Sequence, residues 1–188
     1  MKRKLIPFIA VIFVFFSGCK SETDGLAAAM ELRSRLLSSA GCRFVADVTA
    51  DYGERMYSFV MDCQAEADGT LSFTVAEPES IAGISGKVGQ SGGKLTFNDT
   101  ALAFELLADE QFSPVSAPWL LVHMLRSGYL TCCTETEYGW MISIDDYYDD
   151  DKLSLNVYLD TDGLPAGAEI SWRGRRILSL TVKNFNFL

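Results

Sequence analysis

Two hydrophobic periods divide this chain. Between Gly25 and Ala40 the apolar residues Leu26, Ala29, Met30, Leu36 and Leu37 recur at helical spacing, with Asp24 placed to cap and Gly41 to stop. That spacing predicts one amphipathic helix. Beyond it the period becomes two: Phe44, Ala46 and Val48 alternate with Arg43, Asp47 and Thr49, and after Tyr52-Gly53 the residues Tyr57, Phe59 and Met61 alternate with Ser58 and Asp62. Closing these arms with a two-residue turn sets Phe44 opposite Met61, Ala46 opposite Phe59 and Cys42 opposite Cys63.

The alternation returns at Leu71, Phe73 and Val75, at Leu95 and Phe97, and at Leu102, Phe104 and Leu106. It then resumes at Leu153 to Leu159, at Ile170 and Trp172, and at Leu178, Leu180 and Val182. The intervals are too short for crossover helices, so the strands should form an antiparallel sheet with one wet face and one face needing cover. Ser113 to Arg126 breaks the pattern. Pro114 and Pro118 open a segment apolar nearly all round (Trp119, Leu120, Leu121, Val122, Met124, Leu125), and a helix without a polar face must be buried. The expected fold class is α+β: one curved antiparallel sheet covering two or more helices.

The N-terminus adds a destination. Lys2, Arg3 and Lys4 precede an apolar run from Leu5 to Phe16 that is shorter than a membrane span, followed by Ser17, Gly18 and Cys19. Phe16-Ser17-Gly18-Cys19 resembles the lipobox of bacterial lipoproteins, which implies a signal peptide over residues 1–18 and a diacylglycerol on Cys19. Residues 19–23 then read as the lipidated cysteine and a short tether, and residues 24–188 as one domain. Two acyl chains suffice for stable membrane attachment. The formal charge of −9 becomes −12 once the three basic leader residues are gone. So acidic a surface argues against nucleic-acid binding and against electrostatic docking on anionic lipid.

Candidate chemistry is sparse. The one histidine, His123, lies in the apolar helix and reads as a packed side chain. The run Asp145, Asp146, Asp149, Asp150 and Asp151 reads as a solvated loop between strands, and Asp160-Thr161-Asp162-Gly163 as a hairpin turn, because Leu164 and Pro165 follow where a calcium loop needs oxygen ligands. Gly83, Gly86, Gly89, Gly92 and Gly93 read as mobile connections. Of the three pairings open to Cys42, Cys63, Cys132 and Cys133, the hairpin register favours a Cys42–Cys63 disulfide, leaving Cys132 and Cys133 as free thiols on opposite faces of a strand. No metal site, cofactor or catalytic constellation is expected, and the chain is read as non-enzymatic.

The order of elements, with Gly41-Cys42-Arg43-Phe44 ending the first helix, Phe73-Thr74-Val75-Ala76-Glu77-Pro78 among the hairpins, the apolar helix after Ser113-Pro114 and Leu159 to Pro165 near the close, resembles the lipoprotein-carrier superfamily. That superfamily includes the periplasmic Lol carrier and its lipid-anchored receptor. The resemblance implies an unclosed half-barrel wrapped over helices, with an apolar cavity that holds acyl chains in several members. The expected function is that of an extracytoplasmic, lipid-anchored envelope protein binding a lipid or other hydrophobic ligand, with Phe44, Phe59, Met61, Phe73, Trp119 and Trp140 as candidate wall residues. The alternative is a protein-interaction module with a solid core and no ligand.

Overall fold

The computed structural model describes residues 20–98, 100–108, 111–148 and 150–188; the expected signal peptide and Cys19 lie outside the described residues. The chain runs α1 (Lys20–Ser38), β1 (Gly41–Asp51), β2 (Met56–Glu66), β3 (Leu71–Glu77), β4 (Ser85–Gly89), β5 (Gly92–Phe97), β6 (Thr100–Phe104), β7 (Leu107–Ala108), β8 (Gln111–Phe112), α2 (Ala117–Ser127), β9 (Tyr129–Thr136), β10 (Gly139–Tyr148), β11 (Asp151–Leu159), β12 (Pro165–Trp172) and β13 (Arg175–Phe187).

Eleven strands form one sheet in the order β6-β5-β4-β3-β2-β1-β13-β12-β11-β10-β9. All its pairings are antiparallel, as the short connections require. Each half of the chain folds as a meander of hairpins, and β1 against β13 joins the halves. The sheet is unclosed, with β6 and β9 at its edges, and it curves over two helices in the predicted α+β arrangement.

Alternation put the right residues inside. Phe44, Ala46 and Val48 are buried while Arg43 is exposed, and the same holds for Leu71, Phe73 and Val75, for Leu153 to Leu159, and for Leu178, Leu180 and Val182. The apolar helix α2 is buried from Ala117 to Val122 and again at Met124 and Leu125, and the helices and the inner sheet face share one core. At Asp160 the turn forms as read, the Oδ1 atom accepting from the backbone N–H groups of Asp162 and Leu164 at 2.9 Å each.

Several expectations change. The supposed tether is helical, since α1 starts at Lys20. Within α1 the buried positions are Gly25, Ala29, Leu32 and Leu36, while Leu26, Met30 and Leu37 stand exposed. Small residues allow the close approach: a Cβ on Gly25 would lie 2.6 Å from the Trp140 ring. The first hairpin turns later than predicted. Its strands end at Asp51 opposite Met56, and Tyr52 N–H donates to Arg55 O at 3.0 Å across a four-residue loop.

The longer loop moves the register by two, which keeps each residue on its face but changes its partner. Phe44 therefore faces Cys63, Ala46 faces Met61, and Cys42 faces Ala65. Cys42 and Cys63 are diagonal neighbours, about 7–8 Å apart in such a sheet and beyond the usual reach of a disulfide. Both are free thiols, so the predicted bridge is corrected.

Of the glycine segment only Gly83 lies in a connection, the one between β3 and β4. Gly86 and Gly89 belong to β4, Gly92 and Gly93 to β5, and the bare backbone accommodates rings: a Cβ on Gly86 would meet Phe73 at 2.7 Å and one on Gly93 would meet Phe104 at 2.3 Å. Likewise Asp145 and Asp146 lie within β10 and Asp151 opens β11, so the acidic run is the paired end of a hairpin. Asp149 lies outside the described residues.

Candidate functional site

The helices cover only part of the inner sheet face. α1 packs on β9, β10 and α2, and α2 packs on β2, β10, β11 and β13. Phe44, Phe59, Met61, Phe73 and Trp119 are all buried in the common core, and Trp140 is half-buried against it. Phe44 stacks on Phe185 with 5.6 Å between ring centroids, and Trp119 stacks on His123 at 4.5 Å while its Nε1–H donates to Gly69 O at 2.9 Å. The structure thus brings five of the six predicted wall residues into the packed core, where α2 occupies the centre of the half-barrel.

One cross-strand row leads out of that core. Phe44, Cys63, Phe73, Gly86, Leu95 and Leu102 are successive partners across β1 to β6 and therefore share a face. Phe44 and Phe73 are buried, Leu95 is half-buried, and Leu102 is 64% exposed. Phe97, two residues along β5 on the same face, is 44% exposed, and Phe104 lies over Gly93 in the neighbouring row. The inner face of β5 and β6 is consequently an apolar wall that the helices do not cover. Its residues were visible in the sequence as Leu95, Phe97, Leu102 and Phe104, but nothing there marked them as uncovered.

Two arginines that sequence reasoning missed hold the helices in place. Arg33 of α1 donates from Nε to Leu125 O and from Nη2 to Gly128 O, both at 2.7 Å, satisfying carbonyls at the end of α2. Arg126 donates to Glu66 O at 3.0 Å and Ala67 O at 2.7 Å in the β2–β3 turn. The only available sequence signal was a cation beside an apolar helical stripe. A cleft of about 230 Å³ lies against this clamp, lined by Leu37, Leu71, Trp119, Val122, His123 and Arg126.

His123 Nε2 lies 3.7 Å from Asp146 Oδ2, a partner the sequence did not reveal. Burial lowers the imidazole pKa, with the Asp146 carboxylate opposing and the Arg126 guanidinium reinforcing that shift. The stacked, half-buried ring is a packed side chain, as read. Among the described residues no cluster of three or more His, Cys, Asp or Glu could hold a metal ion, and no helix is long and apolar enough to cross a membrane.

No protein-family model matches the sequence, and no curated protein matches it. Solved structures do. A DUF1329 family protein from Desulfovibrio piger aligns with a TM-score of 0.50 at 8% identity, covering 89% of this chain and 93% of that one. The two proteins share a fold. The same comparison finds a LolA superfamily protein from Nitrosomonas europaea, with a TM-score of 0.45 and 6% identity over 87% of this chain and 93% of that one. It also finds the lipoprotein LppX of Mycobacterium tuberculosis, with a TM-score of 0.46 and 13% identity over 88% and 97% of the two chains. At such identities the likeness is one of architecture.

Proposed function

We propose that this chain is a non-enzymatic, extracytoplasmic lipoprotein, anchored through Cys19, that holds an acyl chain or similar hydrophobic ligand on the uncovered inner face of β5 and β6. The observation that carries the reading is the row that begins buried at Phe44 and ends exposed at Leu102. Covering a Leu or Phe side chain contributes about 1.5–3 kcal/mol, so Leu95, Phe97, Leu102 and Phe104 together offer enough to retain a chain of apolar atoms. The core around α2, which packs on β2, β10, β11 and β13, does not need to open.

The test is binding of a fluorescent fatty-acid analogue to the purified protein, with organic extraction and mass spectrometry of whatever co-purifies. The double variant Phe97→Ser, Leu102→Glu should keep the wild-type melting temperature and bind the analogue at least tenfold more weakly. Unchanged binding refutes the proposed wall. The second reading, a partner-binding module, is favoured by the packed core together with the free edge of β6. Co-purification of a protein rather than a lipid, lost in the same variant, would support it.

A further inference from the structure

The outer face of the sheet carries a separate feature. A groove of about 480 Å³ crosses β13, β1, β2 and β3 on the side facing away from the helices. Its polar lining comes from Arg43, Asp62, Gln64, Ser72, Thr74, Asn184 and Asn186, side chains that alternate with the buried residues of the same strands, and Phe44, Val45, Cys63 and Phe73 complete it.

An outer sheet face is ordinarily convex, and the local backbone explains the hollow. The pairing of β1 with β13 slips between Arg43 and Val45, β13 carrying the extra residue, and Asn184 there has φ of 55°. Bulges of this kind bend and twist a sheet locally. A second slip lies between Val60 and Met61 where β2 pairs β3.

Within the groove much hydrogen-bonding capacity is unspent. Arg43 Nη2 donates to Gln64 Oε1 at 2.9 Å and Asn186 Nδ2 donates to Asn184 O at 2.8 Å. Among the described residues the side chains of Asp62, Ser72, Thr74 and Asn184 make no hydrogen bond to protein. The groove thus presents a carboxylate that only accepts, a guanidinium that only donates, and hydroxyls and an amide that do both.

That inventory selects a ligand class. A peptide adding as a strand is excluded, because β13, β1, β2 and β3 are each paired on both sides. A free anion is disfavoured by Asp62 and by a chain of net charge −9. A single carboxylate does not make a cation site. Sugar hydroxyls, which donate and accept at once, match each polar group present, and the apolar C–H faces of a sugar ring match Val45 between them, so we infer that this outer groove is a binding site for a neutral glycan. The groove shares Phe44, Cys63 and Phe73 with the start of the apolar row but none of its exposed residues on β5 and β6.

The test uses the intact protein and three neutral probes, chitohexaose, cellohexaose and maltohexaose, with saturation-transfer NMR and titration. Asp62→Ala removes the acceptor, and Asn184→Gly removes the amide while tolerating the positive φ. At least one probe should bind, both variants should weaken it tenfold or more at unchanged melting temperature, and the Phe97→Ser, Leu102→Glu variant should bind it as wild type does. No binding of any probe, or equal binding by wild type and both groove variants, overturns the inference. Loss in the apolar-wall variant would overturn the separation of the two sites.

Discussion

At the scale of single residues, burial decides the chemistry. It pushes the Cys42 thiol up to about 12 and the Cys63 thiol further in the same direction, with the neighbouring Asp62 carboxylate adding to the rise at Cys63. Neither thiol is nucleophilic at neutral pH, and both act as small core side chains. His123 shows the converse. Its folded pKa lies below the unfolded value near 6.5, so the unfolded chain takes up the proton first as pH falls. The resulting stability is complete above the unfolded pKa and is lost as pH drops from there through the folded pKa. His123→Gln should therefore flatten the loss of stability between pH 7.5 and pH 5 relative to wild type, read as the urea midpoint at each pH; an unchanged slope would contradict it. The cysteines were legible as buried sheet residues, because alternation shows which face each takes. Their pairing was not, because it depends on a turn whose length a two-residue Tyr52-Gly53 reading understates.

At the scale of elements, α1 is the clearest departure from pattern. Of the predicted stripe Leu26, Ala29, Met30, Leu36 and Leu37, only Ala29 and Leu36 are buried; the helix docks through Gly25, Ala29, Leu32 and Leu36 and packs on β9 and β10. Contact distance, not hydrophobicity alone, selected that face. Gly25→Ala gains about 1 kcal/mol of helix propensity, yet its Cβ would press on Trp140 at 2.6 Å and on Cys133 at 2.9 Å. Overpacking costs typically about 1–3 kcal/mol, so the substitution should be net destabilising, with a lowered melting temperature and altered Trp140 fluorescence. A rise in melting temperature would show that α1 shifts freely. The candidate wall divides in the same way: Leu95, Phe97, Leu102 and Phe104 announced their face, but their exposure depends on how far the helices reach across the sheet.

At the scale of the molecule, β1 pairs β13 and α2 is buried against strands of both halves, so both halves are expected to unfold together. Trp119→Ala removes a large buried ring and leaves Gly69 O without its donor. The loss should be about 3–5 kcal/mol, a large share of the roughly 5–15 kcal/mol typical of a domain. Urea unfolding should remain a single transition at a lower midpoint, with circular dichroism and fluorescence coinciding; two separated transitions would show that the halves fold independently. Alone, the sequence determined the antiparallel sheet, its inner and outer faces, the buried character of α2 and the turn at Asp160, because period, propensity and turn chemistry are local properties. Only the tertiary structure decided the hairpin register, the docking face of α1, the strands on which α2 packs and the exposure of β5 and β6. Each of these depends on distances between segments remote in the chain, which no local pattern encodes.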